Sequence, residues 1–154
     1  PDPQSRIRFA GFIGVSREMA AHLRGVPTSD RLAKLLTYGP RRSPLDWAED
    51  RAILARTRDA VRAVVERHGF LILPTVPNPP FSHSEPEPAA QADFTCIANI
   101  AGLPALSLPA GWTQDGLPIG VQLVGPAGAE AALFALARQL DATLRAYRPP
   151  NQGA

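Results

Sequence analysis

The sequence predicts an α/β fold: a partial mixed sheet of about three strands, including an antiparallel hairpin, packed with helices. Three observations predict it. The triplet Gly-Leu-Pro occurs twice, at 102–104 and 116–118, each time just before a short apolar run. A further apolar run, FLILPT at 70–75, follows directly on a long helical pattern. Near the end of the chain, Leu133, Leu136, Leu140 and Leu144 recur at the spacing of one helix face.

The elements follow in order. Residues 1–14 show no clear period and read as a loop or a severed edge. SREMAAHLR, 16–24, predicts a short helix that Gly25 and Pro27 end. Ser29 or Asp30 caps a second short helix, reaching about Tyr38 and stopped by Gly39 and Pro40. The strongest helix spans Pro44–His68. Ser43 is its N-cap, Pro44 suits the first helical position, and Gly69 closes it. Its apolar stripe is Trp47, Leu54, Val61 and Val65, widened by Ile53 and Val64. FLILPT is then a buried strand. The next stretch, VPNPPFSHSEPEP (76–88), holds too many prolines for a ladder or a helix, so it is an irregular loop.

Residues 91–101 predict a helix ended by Gly102 and Pro104. ALSLP (105–109) and IGVQLVG (119–125) predict two strands, joined through WTQDG, whose Asp-Gly is a turn signal. Each Gly-Leu-Pro is therefore a turn that launches a strand, and the two strands pair as an antiparallel hairpin. Ile119, Val121 and Leu123 share one face, while Gly120 and Gly125 mark close approach by a neighbouring element. The last helix runs from near Gly128 to about Ala146, and the tail YRPPNQGA reads as a frayed end.

Composition narrows the function. A chain of 154 residues fits one domain, here taken as 1–154, and 45% apolar with 19% charged residues is ordinary for a globular protein. No apolar run approaches the roughly 20 residues that cross a bilayer, which gives no membrane partner. The start, PDPQSRIRF, lacks the order of a signal peptide, so a cytoplasmic location is the default. The pI of 9.2 hides a net charge of only +2, with acids interleaved among the arginines. Nucleic-acid binding would need clustered positive charge with stacking aromatics. The single cysteine, Cys96, excludes an internal disulfide and reads as a buried core thiol. Lys34 is the one lysine, so lysine-based chemistry has one candidate, and it lies on a surface helix.

Candidate chemistry is sparse when judged from the residues. Ser82-His83-Ser84 invites a nucleophile-and-base reading, but adjacent residues rarely reach one another in the required geometry. His22 and His68 have no second ligand at metal spacing. Glu85 and Glu87 sit among prolines and read as exposed. Asp93 serves equally as a helix cap or a substrate anchor. There is no P-loop and no Gly-x-Gly-x-x-Gly, hence no nucleotide signal and no cofactor.

The run FTCIANIAGLPALSLPAGWTQDGLPIGVQLVGPAGAEAALFALARQLD, 94–141, resembles the C-terminal part of the amidase signature family. Thr95, Asn99, Gly102, Pro104, Ser107, Pro109, Gly111, Gly116, Pro118, Gly120, Gln122, Gly125 and Glu130 stand at positions of that family's pattern. FLILPTVPNPP resembles the strand and Pro-Thr-x-Pro loop that precede it. The resemblance implies hydrolysis of carbon–nitrogen bonds in amides, by a serine, a second serine and a lysine lying well N-terminal to this block. No Gly-Gly-Ser-Ser run is present, and the seven serines are never adjacent. The resemblance therefore implies a C-terminal portion that completes a mixed sheet and walls the substrate pocket, inactive alone.

The substrate-binding residues it implies are Thr75, Thr95 and Asn99, with the 76–84 loop. Two bland roles compete: Asn99 tying backbone groups together, and Thr95 capping its helix. Glutamine-using members hold the substrate amino group by a carboxylate three residues before the threonine. That position is Ala92 here, with Asp93 one residue off, which argues against glutamine and the tRNA-linked amidotransferases and for a generic or aryl-acyl amide. The implied partners are a small-molecule amide and the N-terminal catalytic portion of the same enzyme, with a homo-oligomer as another way to cover open strand edges. The rival reading is a non-enzymatic binding or assembly module that keeps the half-fold. It predicts charged or proline-blocked edge strands, whereas ALSLP has no charge and a proline only at its end. A small hydrolase using Ser82 and His83 is the outsider. Alanine- and arginine-rich usage suggests a bacterial source.

Overall fold

The computed structural model describes residues 2–149. They form α1 (Gln4–His22), α2 (Asp30–Leu35), α3 (Pro44–His68), β1 (Leu71–Pro74), α4 (Thr95–Ala101), β2 (Ala105–Trp112), β3 (Pro118–Val124) and α5 (Glu130–Leu144). Two compact units divide between Ala60 and Val61, and α3 runs through that boundary.

The first unit is helical and corrects the reading of the N-terminus. Residues 4–14, which showed no period, are the first half of the 19-residue α1. The period is missing because the buried positions, Ala10, Ile13 and Ser16, include a serine, and because Gly11 and Gly14 have no side chain to mark a face. The start of α3 is as the sequence predicts: the Asp46 amide donates to Ser43 Oγ at 3.1 Å, and that hydroxyl donates to Asp46 Oδ2 at 2.8 Å. Ser29 caps α2 through the Leu32 amide.

The buried face of α3 differs from the predicted stripe. Ile53 and Val65 are buried as expected, but so are Asp50 and Thr57, while Val64 is 42% exposed. A residue next in sequence points about 100° away around a helix, so Val64 cannot share the face of Val65. Asp50 is fully buried and is the centre of an ionic cluster. Arg42 donates to it from Nε at 2.8 Å and Nη2 at 3.2 Å, and Arg6 Nη2 reaches it at 3.4 Å. The hydrogen bond to Asp50 raises the Arg42 pKa above its ordinary value. A base with a raised folded pKa contributes stability that is present below the ordinary arginine value and is lost only above it.

The second unit holds the sheet, in the order β1-β3-β2 with both pairings antiparallel. The predicted hairpin is β2–β3. Both Gly-Leu-Pro glycines have positive φ: Gly102 (63°) ends α4 and Gly116 (76°) lies in the hairpin turn. Alternate residues of β3 serve opposite faces. Leu123 and Val121 pack with Leu106, Leu108 and Phe70 against Leu133, Leu136, Ala137 and Leu140 of α5. Val124, Leu71 and Leu73 pack on the other face against Val65 and Ala98. Arg62 Nε fixes the end of α4 by donating to the Ala101 carbonyl at 2.8 Å.

Several boundaries move. β2 runs on to Trp112, past the predicted end at Pro109, with a register shift between Pro109 and Gly111. Proline is tolerated inside this strand because β2 is an edge. Ile119, expected inside, is 44% exposed because it lies opposite Gly111 near the hairpin end. The helix expected over 91–101 begins at Thr95. The preceding segment instead forms four-residue turns, with Gln91 N donating to Pro88 O and Asp93 N to Ala90 O. Cys96 is half-buried rather than core, its thiol 3.6 Å from the Asp93 carbonyl. The chain after α5 is held at Trp112, which donates to the Ala146 carbonyl at 2.8 Å and carries Arg148 over its ring. The rest of the expected frayed end, 150–154, lies outside the described residues.

Among the described residues no helix is long and apolar enough to cross a membrane.

Candidate functional site

The sequence-predicted residues fall into two hydrogen-bonded pairs on the α4 side of the sheet. Thr75 follows β1 directly, and its amide donates to Gly120 O at 3.0 Å, so the β1–β3 pairing continues one residue further. Its hydroxyl pairs with Ser107 Oγ, and Ser107 also donates to the Val121 carbonyl at 3.3 Å. Gly120 is what makes room for this pair. A Cβ there would stand 2.9 Å from Thr75 Oγ1 and 3.4 Å from Ser107 Oγ.

Thr95 and Asn99 form the second pair. Asn99 Nδ2 donates to the Thr95 carbonyl at 2.9 Å, one helical turn back. That bond is the backbone-tying role that competed with substrate contact. Thr95 is the first residue of α4 and is preceded by Phe94 at the N-cap, where no side-chain cap is made. Thr95 therefore does not cap α4.

Gln122 connects the two pairs, and the sequence reading did not single it out as a site residue. It is 5% exposed, and its Nε2 donates to the Phe94 carbonyl at 3.2 Å, just before Thr95. Gly120 and Gln122 lie two apart on one strand, so they face the same way. β3 thus holds the Thr75–Ser107 pair and the start of α4 on one surface. The signal was a lone amide inside the apolar run IGVQLVG; such a buried polar group needs a partner, but the sequence cannot say which.

The other candidates separate. Ser82 Oγ bonds to Ser84 Oγ at 2.8 Å rather than to His83, and all three residues are exposed. Lys34 is exposed on α2, and His22 Nδ1 lies 2.8 Å from its own helix's Glu18 carbonyl. Among the described residues no three of His, Cys, Asp and Glu are grouped as a metal requires. The loop after Thr75 borders a groove of about 270 Å³, whose lining includes Pro74, Val76, Asn78, Thr113, Ile119 and Gly120.

The Gly120→Ala variant is expected to lose about 1–3 kcal/mol, because the new methyl overpacks against a β-branched side chain with little freedom to turn. Removing Thr75 Oγ1 in the double variant Thr75→Ala/Gly120→Ala should return part of that loss, read as a coupling of at least about 0.5 kcal/mol in urea unfolding. Strict additivity would mean that Thr75 does not set the constraint.

Comparison with known proteins gives this arrangement a context. The family model described as Amidase matches residues 14–134, more than half of the chain. The chain is 42% identical over 97 residues to a glutamyl-tRNA(Gln) amidotransferase subunit from Synechococcus sp. (strain CC9902), covering 59% of this chain and 19% of the relative. It is 57% identical over 44 residues to the putative amidase AmiA2 of Mycobacterium tuberculosis (strain ATCC 25618 / H37Rv), covering 29% of this chain and 9% of that protein. A bacterial aryl acylamidase of the amidase signature family has a similar fold over 97% of this chain and 37% of its own, with a TM-score of 0.74 at 20% identity. The chain thus spans about a fifth of the length of the curated relatives it matches. A single family pattern covering the end of α1, both sheet pairings and the start of α5 leads to one conclusion: this chain belongs to the amidase family.

Proposed function

We propose that this chain, 1–154 as a whole, is the C-terminal part of an amide-hydrolysing enzyme. It contributes sheet and substrate-pocket wall and is inactive alone. Thr75, Thr95 and Asn99 are its substrate-side residues. The catalytic serines and lysine belong to an N-terminal portion that acts as its partner on a small-molecule amide. The observation that carries this reading is the polar surface on β3, where Gly120 and Gln122 hold Thr75, Ser107 and the start of α4 together inside a family-matched segment. Family membership supports the reaction class, and Ala92 in place of a carboxylate supports a neutral amide over glutamine.

The proline and register shift inside the edge strand β2 favour the second reading, a binding or assembly module, since proline and bulges blunt an edge against pairing. The opposite edge, β1, carries no charge and ends rather than begins with proline, which favours the first.

Treating the purified chain with a fluorophosphonate and weighing it intact separates active from inactive. The expected result is an unlabelled mass of 16.5 kDa. A stoichiometric adduct on any serine would overturn the assignment of the nucleophile to another portion.

A further inference from the structure

The helical unit carries an apolar surface that the candidate site does not use. At about 100° per residue, Phe12, Val15 and Met19 fall within about 60° of arc on α1. The end of α2 is pinned beside that arc, because Ser16 Oγ donates to the Leu35 carbonyl and accepts from the Gly39 amide, both at 2.9 Å. Tyr38 meets Phe12 edge-on, with ring centres 5.6 Å apart. Val26 stands in the turn that leaves α1, its amide donating to the Leu23 carbonyl. Val15, Met19, Val26, Leu35 and Tyr38 are 38–54% exposed, so five large apolar side chains of one neighbourhood face water. Single exposed apolar residues are ordinary, whereas a cluster marks a surface that meets something apolar.

The same stretch is basic. Residues 15–41 hold Arg17, Arg24, Arg31, Lys34 and Arg41 against two acids, Glu18 and Asp30. Arg24, Lys34 and Arg41 are exposed. Glu18 lies about 90° round α1 from the middle of the apolar arc, and Asp30 is in the first turn of α2. A second copy of the chain fits this surface poorly, because a two-fold interface sets the patch on itself and opposes like charges. A protein interface core fits poorly too, since lysine is depleted there. Apolar side chains, an amphipathic tyrosine and long basic side chains together suit helices lying in a lipid headgroup layer. The apolar groups enter it, and the arginine and lysine stems carry their charges to the phosphates. The sequence excludes a spanning segment by length, and no described helix could span; helices that lie on the surface need no such length.

We propose that the α1–α2 face is a docking surface for an anionic phospholipid membrane, with Val15, Met19, Val26, Leu35 and Tyr38 entering the headgroup layer and Arg24, Lys34 and Arg41 meeting lipid phosphates. The attraction is partly electrostatic, so it weakens as salt rises. This goes beyond the amide-hydrolysing reading and stands or falls without it.

The test mixes the 154-residue chain with vesicles of phosphatidylglycerol and phosphatidylcholine, or of phosphatidylcholine alone, and measures co-sedimentation. Binding to the anionic vesicles is expected to be about a hundredfold tighter, from three basic side chains at about fivefold each. It should fall sharply between about 0.1 M and about 1 M salt, as the screening length shortens from about 10 Å to about 3 Å. Lys34→Gln should weaken anionic binding about fivefold. Met19→Glu should weaken it more, because it puts a charge where an apolar side chain enters. Arg138→Gln and Phe134→Glu remove an exposed charge and an exposed ring from the sheet unit, and both should leave binding unchanged. An unaltered helical circular dichroism spectrum shows that each variant is folded. No binding to either vesicle, equal binding to both, or equal loss from Phe134→Glu and Met19→Glu would each overturn the proposal. Binding to poly-glutamate but not to vesicles would overturn it too, in favour of an acidic protein.

Discussion

Asp50→Ala is expected to destabilise the helical unit by about 3 kcal/mol, the low end of the 3–5 kcal/mol range for breaking a buried ion pair. Asp50 is completely buried, and Arg42 grips it with two hydrogen bonds while Arg6 adds a third. Removing the carboxylate leaves two guanidinium groups facing an apolar hole. Their side chains are 21% and 34% exposed, so each can turn partly towards water, which is why the low end applies. Arg42 also stacks 5.3 Å over the Phe9 ring, and that contact partly restrains it. The measurement is urea unfolding followed by Trp47 fluorescence in a Trp112→Phe background, since these are the chain's two tryptophans. An exposed acid would cost no more than about 0.5 kcal/mol, and a value that small would refute the buried-hub account. Replacing Asp50 by leucine together with Arg42 by methionine should be far milder than Asp50→Ala, because no buried charge is then left without its partner.

Leu123→Ala is expected to cost about 2–5 kcal/mol in the sheet unit. Leu123 is 1% exposed and sits on the central strand between Leu106, Leu108 and the α5 residues Leu133 and Ala137. Truncation leaves a cavity in the one strand that is paired on both sides. That same strand carries Gly120 and Gln122 on its other face, so a loosened β3 also unsettles the Thr75–Ser107 pair and the start of α4. Unfolding followed by Trp112 fluorescence in a Trp47→Phe background checks it. Leu123→Met, which nearly conserves volume, should cost less than about 1.5 kcal/mol. Equal effects from the two substitutions would place Leu123 outside the core.

Element type was legible wherever local signals were strong. Ser43 before Pro44 marked the start of α3, the Gly-Leu-Pro triplets marked the launch of β2 and β3, and the leucine spacing marked α5. These depend on backbone geometry within a few residues, which the sequence itself carries. The family pattern was legible for the same reason, because it is read position by position along one continuous run.

What the sequence could not carry was the identity of neighbours distant along the chain. Residues 4–14 looked aperiodic because few positions of α1 are buried, Ala10, Ile13 and Ser16, and one of them is a serine. Gly39 read as a helix stop, yet its tighter constraint is close approach: a Cβ there would lie 2.5 Å from the Arg17 backbone nitrogen. Asp50 looked like one more acid in a charged helix until Arg6 and Arg42, 44 and 8 residues away, converged on it. At the candidate site the sequence by itself determined the residue types, Thr75, Thr95, Asn99 and Gln122, and the strand and helix that carry them. Only the tertiary structure decided that Thr75 meets Ser107 and that Gln122 reaches the start of α4. A hydrogen bond exists only where two groups are brought within about 3 Å, and that distance is fixed by packing, not by order along the chain.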